Sequence, residues 1–166
     1  MIYSEEFIQG NHSVGKIIKP IGVCYHHIYL SRDDIINMFT HKEGILNDGR
    51  EFKGVSAHVV IWRDGSRTIF GEDNQKLWHA GVSEFKGRKY CNNFLLGVEF
   101  EGNTNETPLT SHQISSNIDW LIPRIEKWNI QHNMLTDHRT IAPGRKVDLN
   151  PFELDKVLTS TKYLFL

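Results

Sequence analysis

The chain has 166 residues, of which 39% are hydrophobic and 23% are charged, and its formal net charge is −1. That balance, with no stripe of lysine or arginine along any predicted helix, argues against a nucleic-acid-binding protein. The longest apolar runs, such as residues 94–98, are far too short to cross a bilayer, so we expect no membrane partner.

Length and composition together predict one domain in a reducing compartment. The sequence has no repeat, low-complexity tract or linker, so we expect a single domain over residues 1–166 with its core at about 20–155. The first residues are acidic and lack the basic and apolar parts of a secretory signal. Two cysteines, Cys24 and Cys91, make no disulfide framework. We therefore expect a cytoplasmic protein, and a monomer.

The first predicted elements are a strand and a helix. Residues 21–27 are apolar, include the β-branched Val23 and follow turn signals, which predicts a strand that ends in two histidines. Ser31, followed by two aspartates, predicts the start of a helix. The apolar side of that helix consists of Ile35, Ile36 and Phe39.

The middle of the chain predicts a loop, a hairpin and a central strand. Residues 42–53 are polar and contain glycine, and we interpret them as a loop. Residues 57–62 and 68–70 flank the pair Asp64-Gly65, which is a strong hairpin signal. Residues 94–101 predict a central strand that carries acidic side chains at its far end.

The longest predicted helix begins at Thr110, a good N-cap with Gln113 in the capping-box position. Apolar residues then recur at the spacing of one helix face, namely Ile114, Ile118, Leu121, Ile122, Ile125 and Trp128. Pro123 lies inside this pattern and should kink the helix or end its first half. Strands followed by a long helix indicate an α/β sandwich around a mostly buried sheet.

Two separated segments hold candidate metal ligands. His26 and His27 alternate along the predicted strand, so one should face the core or a site and the other should point away. Residues 137–148 place His138, Lys146 and Asp148 in a loop-like segment that contains proline and glycine. Two imidazoles and one carboxylate, with a fourth position left to water, form the ligand set of a catalytic zinc site. Taken alone, the His26-His27 pair is a weak signal for a metal site.

Other residues have both a catalytic and an ordinary interpretation. Glu99 and Glu101 share one face of a strand, either as a general-acid pair or as a strand end that reaches solvent. Trp78 and His79 form a small cluster that is also compatible with a turn around a half-buried tryptophan. Cys24, beside the histidine strand, suggests a nucleophile, although a buried thiol acting as a small hydrophobe is the simpler interpretation.

Five blocks of sequence carry a family resemblance, at residues 55–58, 78–83, 87–94, 97–102 and 141–148. With these blocks in this order, residues 23–151 resemble the zinc-dependent N-acetylmuramoyl-L-alanine amidases of the amidase-2 family, which includes the peptidoglycan recognition proteins. Within that family the sequence is most similar to the AmpD-type amidases, which act on 1,6-anhydro-muropeptides during cell-wall recycling. The resemblance implies an α/β fold with a central mixed β-sheet flanked by helices.

The resemblance also implies roles for individual residues. His26, His138 and Asp148 match the ligands of one zinc ion per chain. Glu99 matches the general base or acid, and Lys146 matches a cation near the reacting carbonyl. Trp78 and His79 lie in a block associated with substrate binding. The implied reaction is zinc-dependent hydrolysis of the amide between (1,6-anhydro-)N-acetylmuramic acid and L-alanine, with a muropeptide or peptidoglycan as the only expected partner.

Three alternatives stay open from the sequence. A phage endolysin or an effector would use the same chemistry on intact peptidoglycan. A non-catalytic peptidoglycan-binding module would have lost a ligand, whereas all three ligand positions are present here. A plain α/β domain with structural histidines would not need five ordered blocks. Three departures from the family pattern bear on cleft shape and substrate preference, namely Asp137, the tripeptide at residues 149–151 and a short segment at residues 28–54.

Overall fold

The computed structural model describes residues 2–166. Within that range the strands are β1 Glu5–Phe7, β2 His12–Ile17, β3 Gly22–Ile28, β4 Glu43–Ile45, β5 Glu51–Lys53, β6 Val59–Ile61, β7 Arg67–Ile69, β8 Gln75–Leu77, β9 Glu84–Phe85, β10 Arg88–Lys89, β11 Leu95–Glu101 and β12 Leu135–Asp137. The α-helices are α1 Arg32–Thr40, α2 Ser111–Trp128, α3 His138–Ile141 and α4 Pro151–Thr161. Short 3-10 helices lie at Cys91–Asn93, His132–Met134 and Lys162–Phe165.

A six-stranded mixed sheet forms the centre of the fold, in the order β1-β7-β6-β11-β3-β12. Strands β6 and β7 are antiparallel, whereas every other neighbouring pair in this sheet is parallel. Strands β3 and β11 lie inside the sheet and pair over their whole length, from Leu95 opposite Gly22 to Glu101 opposite Ile28. With helices packed against it, this sheet confirms the predicted α/β fold class.

The two faces of the sheet bury different kinds of side chain, because neighbouring residues of a strand point to opposite faces. One face packs against α2 and α4 and forms the largest apolar cluster, which includes Val23, Tyr25, Val59, Leu96, Val98, Trp120, Leu121 and Val157. On the opposite face, Ile28 joins a cluster beneath α1, and Cys24 joins a smaller cluster with Phe94. His26 lies between Cys24 and Ile28 on β3. Its side chain is therefore placed between the cluster that contains Cys24 and the cluster beneath α1.

Most of the strongly patterned elements form as predicted. The strand expected at residues 21–27 is β3, and the one expected at 94–101 is β11. Helix α1 begins after Ser31, whose side chain accepts a hydrogen bond from the backbone N–H of Asp34. The hairpin around Asp64-Gly65 is β6–β7.

The loop expected at residues 42–53 is wrong, because β4 and β5 pair there as an antiparallel hairpin. The turn between them contains Gly49 at φ +88°, a conformation that glycine adopts at little cost. Phe52 then buries its ring in the cluster beneath α1. One apolar anchor on a strand that is otherwise exposed gives too weak an alternation to be recognised in the sequence.

Helix α2 is continuous from Ser111 to Trp128 and contains Pro123, so Pro123 does not end its first half. The capping box predicted at its start is present, since the Thr110 side chain accepts from the Gln113 N–H and Gln113 reaches back to the Thr110 N–H. Across residues 2–166, α2 and the shorter helices all lack the apolar length needed to cross a membrane.

Candidate active site

Parallel strands bring the first two site residues together. His26 on β3 and Glu99 on β11 are direct partners in the strand register, and both side chains are buried. Strand β12 pairs with the other edge of β3, placing Asp137 opposite Tyr25, and α3 begins at the next residue, His138. Because the carboxyl ends of parallel strands meet at one edge of a sheet, residues far apart in sequence converge there.

The segment between His138 and Asp148 is closed by a buried aspartate. The Asp137 carboxylate accepts from the Thr140 N–H at 2.9 Å and from the Leu149 N–H at 3.0 Å. The Arg139 N–H donates to the Asp148 carbonyl at 2.6 Å. Asp137 therefore fixes both ends of the segment, and His138 and Asp148 point to one place although ten residues separate them in the chain.

Three atoms that can bind a metal ion converge in this place. The Nδ1 atoms of His26 and His138 are 2.9 Å apart. An oxygen of Asp148, Oδ2, lies 3.6 Å from the first and 3.5 Å from the second. Ligands held tetrahedrally at roughly 2.0–2.2 Å from zinc are about 3.4 Å apart. Two imidazole nitrogens and one carboxylate oxygen near these separations fit a zinc ion. His138 and Asp148 also border a cavity, which gives a fourth ligand access, as catalytic zinc sites require.

The surroundings of these ligands favour the protonation states that a metal needs. Burial lowers the pKa of His26 to about 4, so its ring is neutral at pH 7. Burial alone would raise the pKa of the Asp148 carboxyl, but positive charge held at the Nδ1 atoms of His138 and His26 that face it lowers this pKa well below its usual range. His138 Nε2 lies 3.1 Å from the Ala80 carbonyl oxygen, which can only accept, so Nε2 donates to it and Nδ1 is the atom that faces the other two ligands.

Glu99 lies on the same cavity without belonging to the group of ligands. Burial, and then the negative charge of Asp148, raise the pKa of its carboxyl well above the usual value, whereas Lys146 acts in the opposite direction. Its Oε2 atom is buried and has no hydrogen-bond partner among the described residues. A proton-accepting group with a free oxygen beside an open metal position has the geometry of a general base.

The cavity above these residues has a volume of about 410 Å³. Lys146 is half-buried on its wall, and Trp78 is 38% exposed at its rim. His79 also borders the cavity but is buried, and both of its ring nitrogens lie within hydrogen-bond distance of protein atoms, His26 Nε2 at 3.1 Å and the Leu95 carbonyl at 2.9 Å. Six of the predicted site residues therefore border one cavity, with Trp78 at its opening and His79 in its wall. The seventh, His26, lies buried behind His138, with its Nδ1 atom 2.9 Å from that of His138.

Three other residues singled out in the sequence lie outside the reacting group. The His27 ring turns away from His26, with its Nδ1 at 2.7 Å from the Thr104 hydroxyl. Glu101 accepts from the Arg63 N–H at 2.7 Å, so it belongs to the strand end rather than to an acid pair with Glu99. Cys24 is fully buried, and burial raises the pKa of its thiol well above the usual value, which is unsuited to a nucleophile.

Two residues that support the cavity wall were missed in the sequence. The Asn92 side chain accepts from the backbone N–H groups of His79 and Ala80 at 3.0 and 2.9 Å. Arg145 donates to the carbonyls of Ala80 and Val82, both at 2.8 Å. Both residues lie inside blocks that carry the family resemblance, which is the only signal in the sequence that could have indicated them.

Comparison with known proteins places these residues in a family context. A profile of the family described as N-acetylmuramoyl-L-alanine amidase matches residues 18–151. The 1,6-anhydro-N-acetylmuramyl-L-alanine amidase AmpD of Haemophilus influenzae is 38% identical over 115 residues, which are 65% of this chain and 59% of that protein. Across its relatives of this kind, including one from Citrobacter freundii, the chain spans little more than half of their length.

Solved structures show the same fold. A selenomethionine derivative of AmpD superimposes with a TM-score of 0.79 at 25% identity, over 100% of this chain and 97% of that one. An endolysin N-acetylmuramoyl-L-alanine amidase, LysCS from Clostridium intestinale, gives a TM-score of 0.66 at 20% identity, over 98% of this chain and 97% of that one. At that lower identity the second likeness extends to the fold alone.

Proposed function

Because the chain belongs to the N-acetylmuramoyl-L-alanine amidase family, we propose that it hydrolyses the amide bond between 1,6-anhydro-N-acetylmuramic acid and L-alanine of a stem peptide, with one zinc ion per chain. The observation that carries this proposal is the convergence of His26 Nδ1, His138 Nδ1 and Asp148 Oδ2 within 3.6 Å, beside a buried carboxylate that has a free oxygen. His26, His138 and Asp148 would hold the metal, which would supply a Lewis acid that acidifies water and polarises an amide carbonyl.

Glu99 would move the proton in this reaction. As a carboxylate it takes a proton from the attacking water while the water oxygen bonds to the amide carbon. It then returns that proton to the alanine nitrogen as the carbon–nitrogen bond breaks. The products are the free lactyl carboxylate of the sugar and a stem peptide that begins with an amine. The free Oε2 atom of Glu99, buried and without a partner among residues 2–166, suits this exchange.

Lys146 and Trp78 would act on the substrate. The Lys146 ammonium borders the cavity near Glu99 and can stabilise negative charge on the reacting carbonyl oxygen, an effect worth about 3 kcal/mol for one such donor. Trp78 offers an exposed ring at the rim, with the Lys76 ammonium 4.7 Å from its centre. A flat apolar surface beside a positive charge suits a sugar that carries an acidic peptide.

The relatives favour a recycling role over a lytic one. Those between 36% and 40% identical bear the name 1,6-anhydro-N-acetylmuramyl-L-alanine amidase AmpD, whereas the endolysin likeness at 20% supports only the fold. A recycling enzyme meets small soluble muropeptides inside the cell, so we keep the cytoplasmic location as part of this proposal. The two free, buried cysteines are compatible with a reducing compartment.

A comparison of two substrates tests the proposal. The purified chain is offered soluble anhydro-muropeptide and intact sacculi in separate reactions, and the products are identified by mass spectrometry. We expect release of free stem peptide from the soluble substrate and little digestion of sacculi. Equal or faster digestion of sacculi would move the chain to the lytic class, and a zinc-loaded chain that cleaves neither substrate would overturn the proposal. Glu99→Gln, purified identically, controls for contaminating amidase.

A further inference from the structure

We propose that His79 is a positioning residue that fixes the tautomer of His26, through a hydrogen-bonded chain that starts at the Leu95 carbonyl. This inference rests on the proposed function only in assigning His26 to a metal. It gives the buried His79 a role that differs from direct contact with substrate, the role implied by its sequence block. The carbonyl oxygen at one end of the chain decides the direction of every hydrogen bond in it.

The first step is the contact between His79 and β11. His79 Nε2 lies 2.9 Å from the Leu95 carbonyl oxygen, and a carbonyl can only accept. The neutral His79 ring therefore carries its proton on Nε2, and its Nδ1 atom is an acceptor. That Nδ1 atom lies 3.1 Å from His26 Nε2, which must then donate. The proton of His26 is thus held on Nε2, and its Nδ1 lone pair faces His138 and Asp148.

The opposite arrangement is disfavoured by charge. If His26 kept its proton on Nδ1, its Nε2 atom would be an acceptor and His79 would need a proton on both ring nitrogens. That would place a positive charge on a ring that is only 6% exposed and packs against Gly97 and His26. Burying such a charge without a partner costs far more than a neutral hydrogen bond returns.

The surroundings hold the His79 ring at this place. Asn92 accepts from the His79 backbone N–H at 3.0 Å. Gly97 on β11 leaves room for the ring, since a Cβ atom there would lie 2.5 Å from the imidazole. The next buried histidine, His58, uses both ring nitrogens on backbone groups of Gly97 and Gln75 and makes no polar contact with His26. Of these two buried histidines, only His79 is therefore hydrogen-bonded to His26.

A matched pair of variants isolates this hydrogen bond. Asn and Leu have nearly the same shape, but His79→Asn keeps an acceptor near the place of Nδ1, whereas His79→Leu has none. Loss of such a supporting contact typically weakens metal affinity by about 10- to 100-fold. We expect His79→Leu to bind zinc about 10- to 100-fold more weakly than wild type, and His79→Asn to recover much of the difference.

A second measurement needs neither metal nor turnover. Two-bond ¹H–¹⁵N correlation spectra of the ¹⁵N-labelled chain, stripped of metal, report which nitrogen of His26 carries the proton. We expect Nε2 in wild type. A proton on Nδ1 in wild type, or equal zinc affinity in His79→Leu and His79→Asn, would overturn the inference. If wild type shows the expected tautomer and yet binds no zinc, the proposed function fails while the positioning by His79 stands.

Discussion

Two buried carboxylates beside one cavity differ in chemistry because their neighbours differ. Asp148 faces the Nδ1 atoms of His26 and His138, and positive charge held at those atoms keeps the pKa of its carboxyl low against the effect of burial. Glu99 has no such contact, so burial and the charge of Asp148 raise the pKa of its carboxyl. Asp148 is therefore suited to hold a cation permanently, and Glu99 is suited to gain and lose a proton.

Substitution of these two carboxylates separates metal binding from turnover. Asp148→Ala should lose zinc and activity together, because it removes one of three ligands. Glu99→Gln should keep zinc and lose activity by about 100-fold or more, the usual contribution of a positioned general base. Zinc content and hydrolysis of anhydro-muropeptide, measured on the same preparations, check both. A fully active Glu99→Gln variant would show that the proton moves through another group.

Asp137 illustrates what the sequence could not convey about a single residue. In the sequence it is a departure from the family pattern, whereas in the structure its carboxylate closes the segment that carries two of the proposed ligands. Asp137→Ala should lower the free energy of unfolding by about 3 kcal/mol, because two buried N–H groups lose their acceptor. Asp137→Asn, which keeps one acceptor oxygen, should lose less. Urea unfolding of both variants checks the order, and equal losses would contradict it.

At the scale of elements, helix α2 depends on its first turn. The Thr110 hydroxyl accepts from the Gln113 N–H at 3.0 Å and donates to the Arg63 carbonyl at 2.8 Å. Thr110→Ala should lower the free energy of unfolding by about 1 kcal/mol, the usual value of such a cap. Thr110→Ser keeps the hydroxyl and serves as the control in urea unfolding. An unchanged midpoint for Thr110→Ala would mean that packing against the sheet alone holds the helix.

The sequence predicts best those elements whose apolar pattern and caps match their burial in the fold. Strands β3 and β11 are buried on both faces, and α2 has a cap and one apolar face, so their patterns are strong. The hairpin of β4 and β5 is largely exposed, so its sequence has the polar composition of a loop. The pattern predicts that Pro123 kinks α2 or ends its first half. The helix continues to Trp128, because a helix packed along the sheet tolerates the loss of one backbone hydrogen bond.

At the scale of the whole molecule, buried neutral histidines couple stability to pH. Burial lowers the pKa of His58 from 6.5 to about 4. Between these values the unfolded chain binds a proton that the folded chain does not. The part of the unfolding free energy that depends on a neutral His58 is therefore complete above pH 6.5 and is lost as the pH falls toward 4. The full loss from one such group is about 3 kcal/mol.

The pH dependence can be assigned to His58 by substitution. Between pH 7 and pH 5, His58→Gln should lose about 2 kcal/mol less unfolding free energy than wild type, although it is less stable at pH 7. Urea unfolding of the metal-stripped proteins at both pH values measures the difference. Equal slopes for wild type and His58→Gln would show that His58 titrates normally in the folded chain.

The sequence indicated the members of the candidate site but not their arrangement. His26 and His138 are 112 positions apart, and only the pairing of β12 with β3 brings them within 2.9 Å. No spacing rule predicts such an encounter, so the ligand set depended on a family resemblance. The resemblance indicated which side chains meet at the cavity, whereas the tautomers and the bonds from Asn92 and Arg145 depend on carbonyl positions that no sequence pattern reports.

The most direct test is a zinc titration of the metal-stripped chain, with hydrolysis of soluble anhydro-muropeptide followed at each addition. The geometry of His26, His138 and Asp148 predicts that activity is absent without metal, rises in proportion to added zinc and reaches its plateau at one ion per chain. A stripped chain that cleaves the amide at the full rate, or one that binds zinc at these residues and remains inactive, would contradict a zinc-dependent amidase.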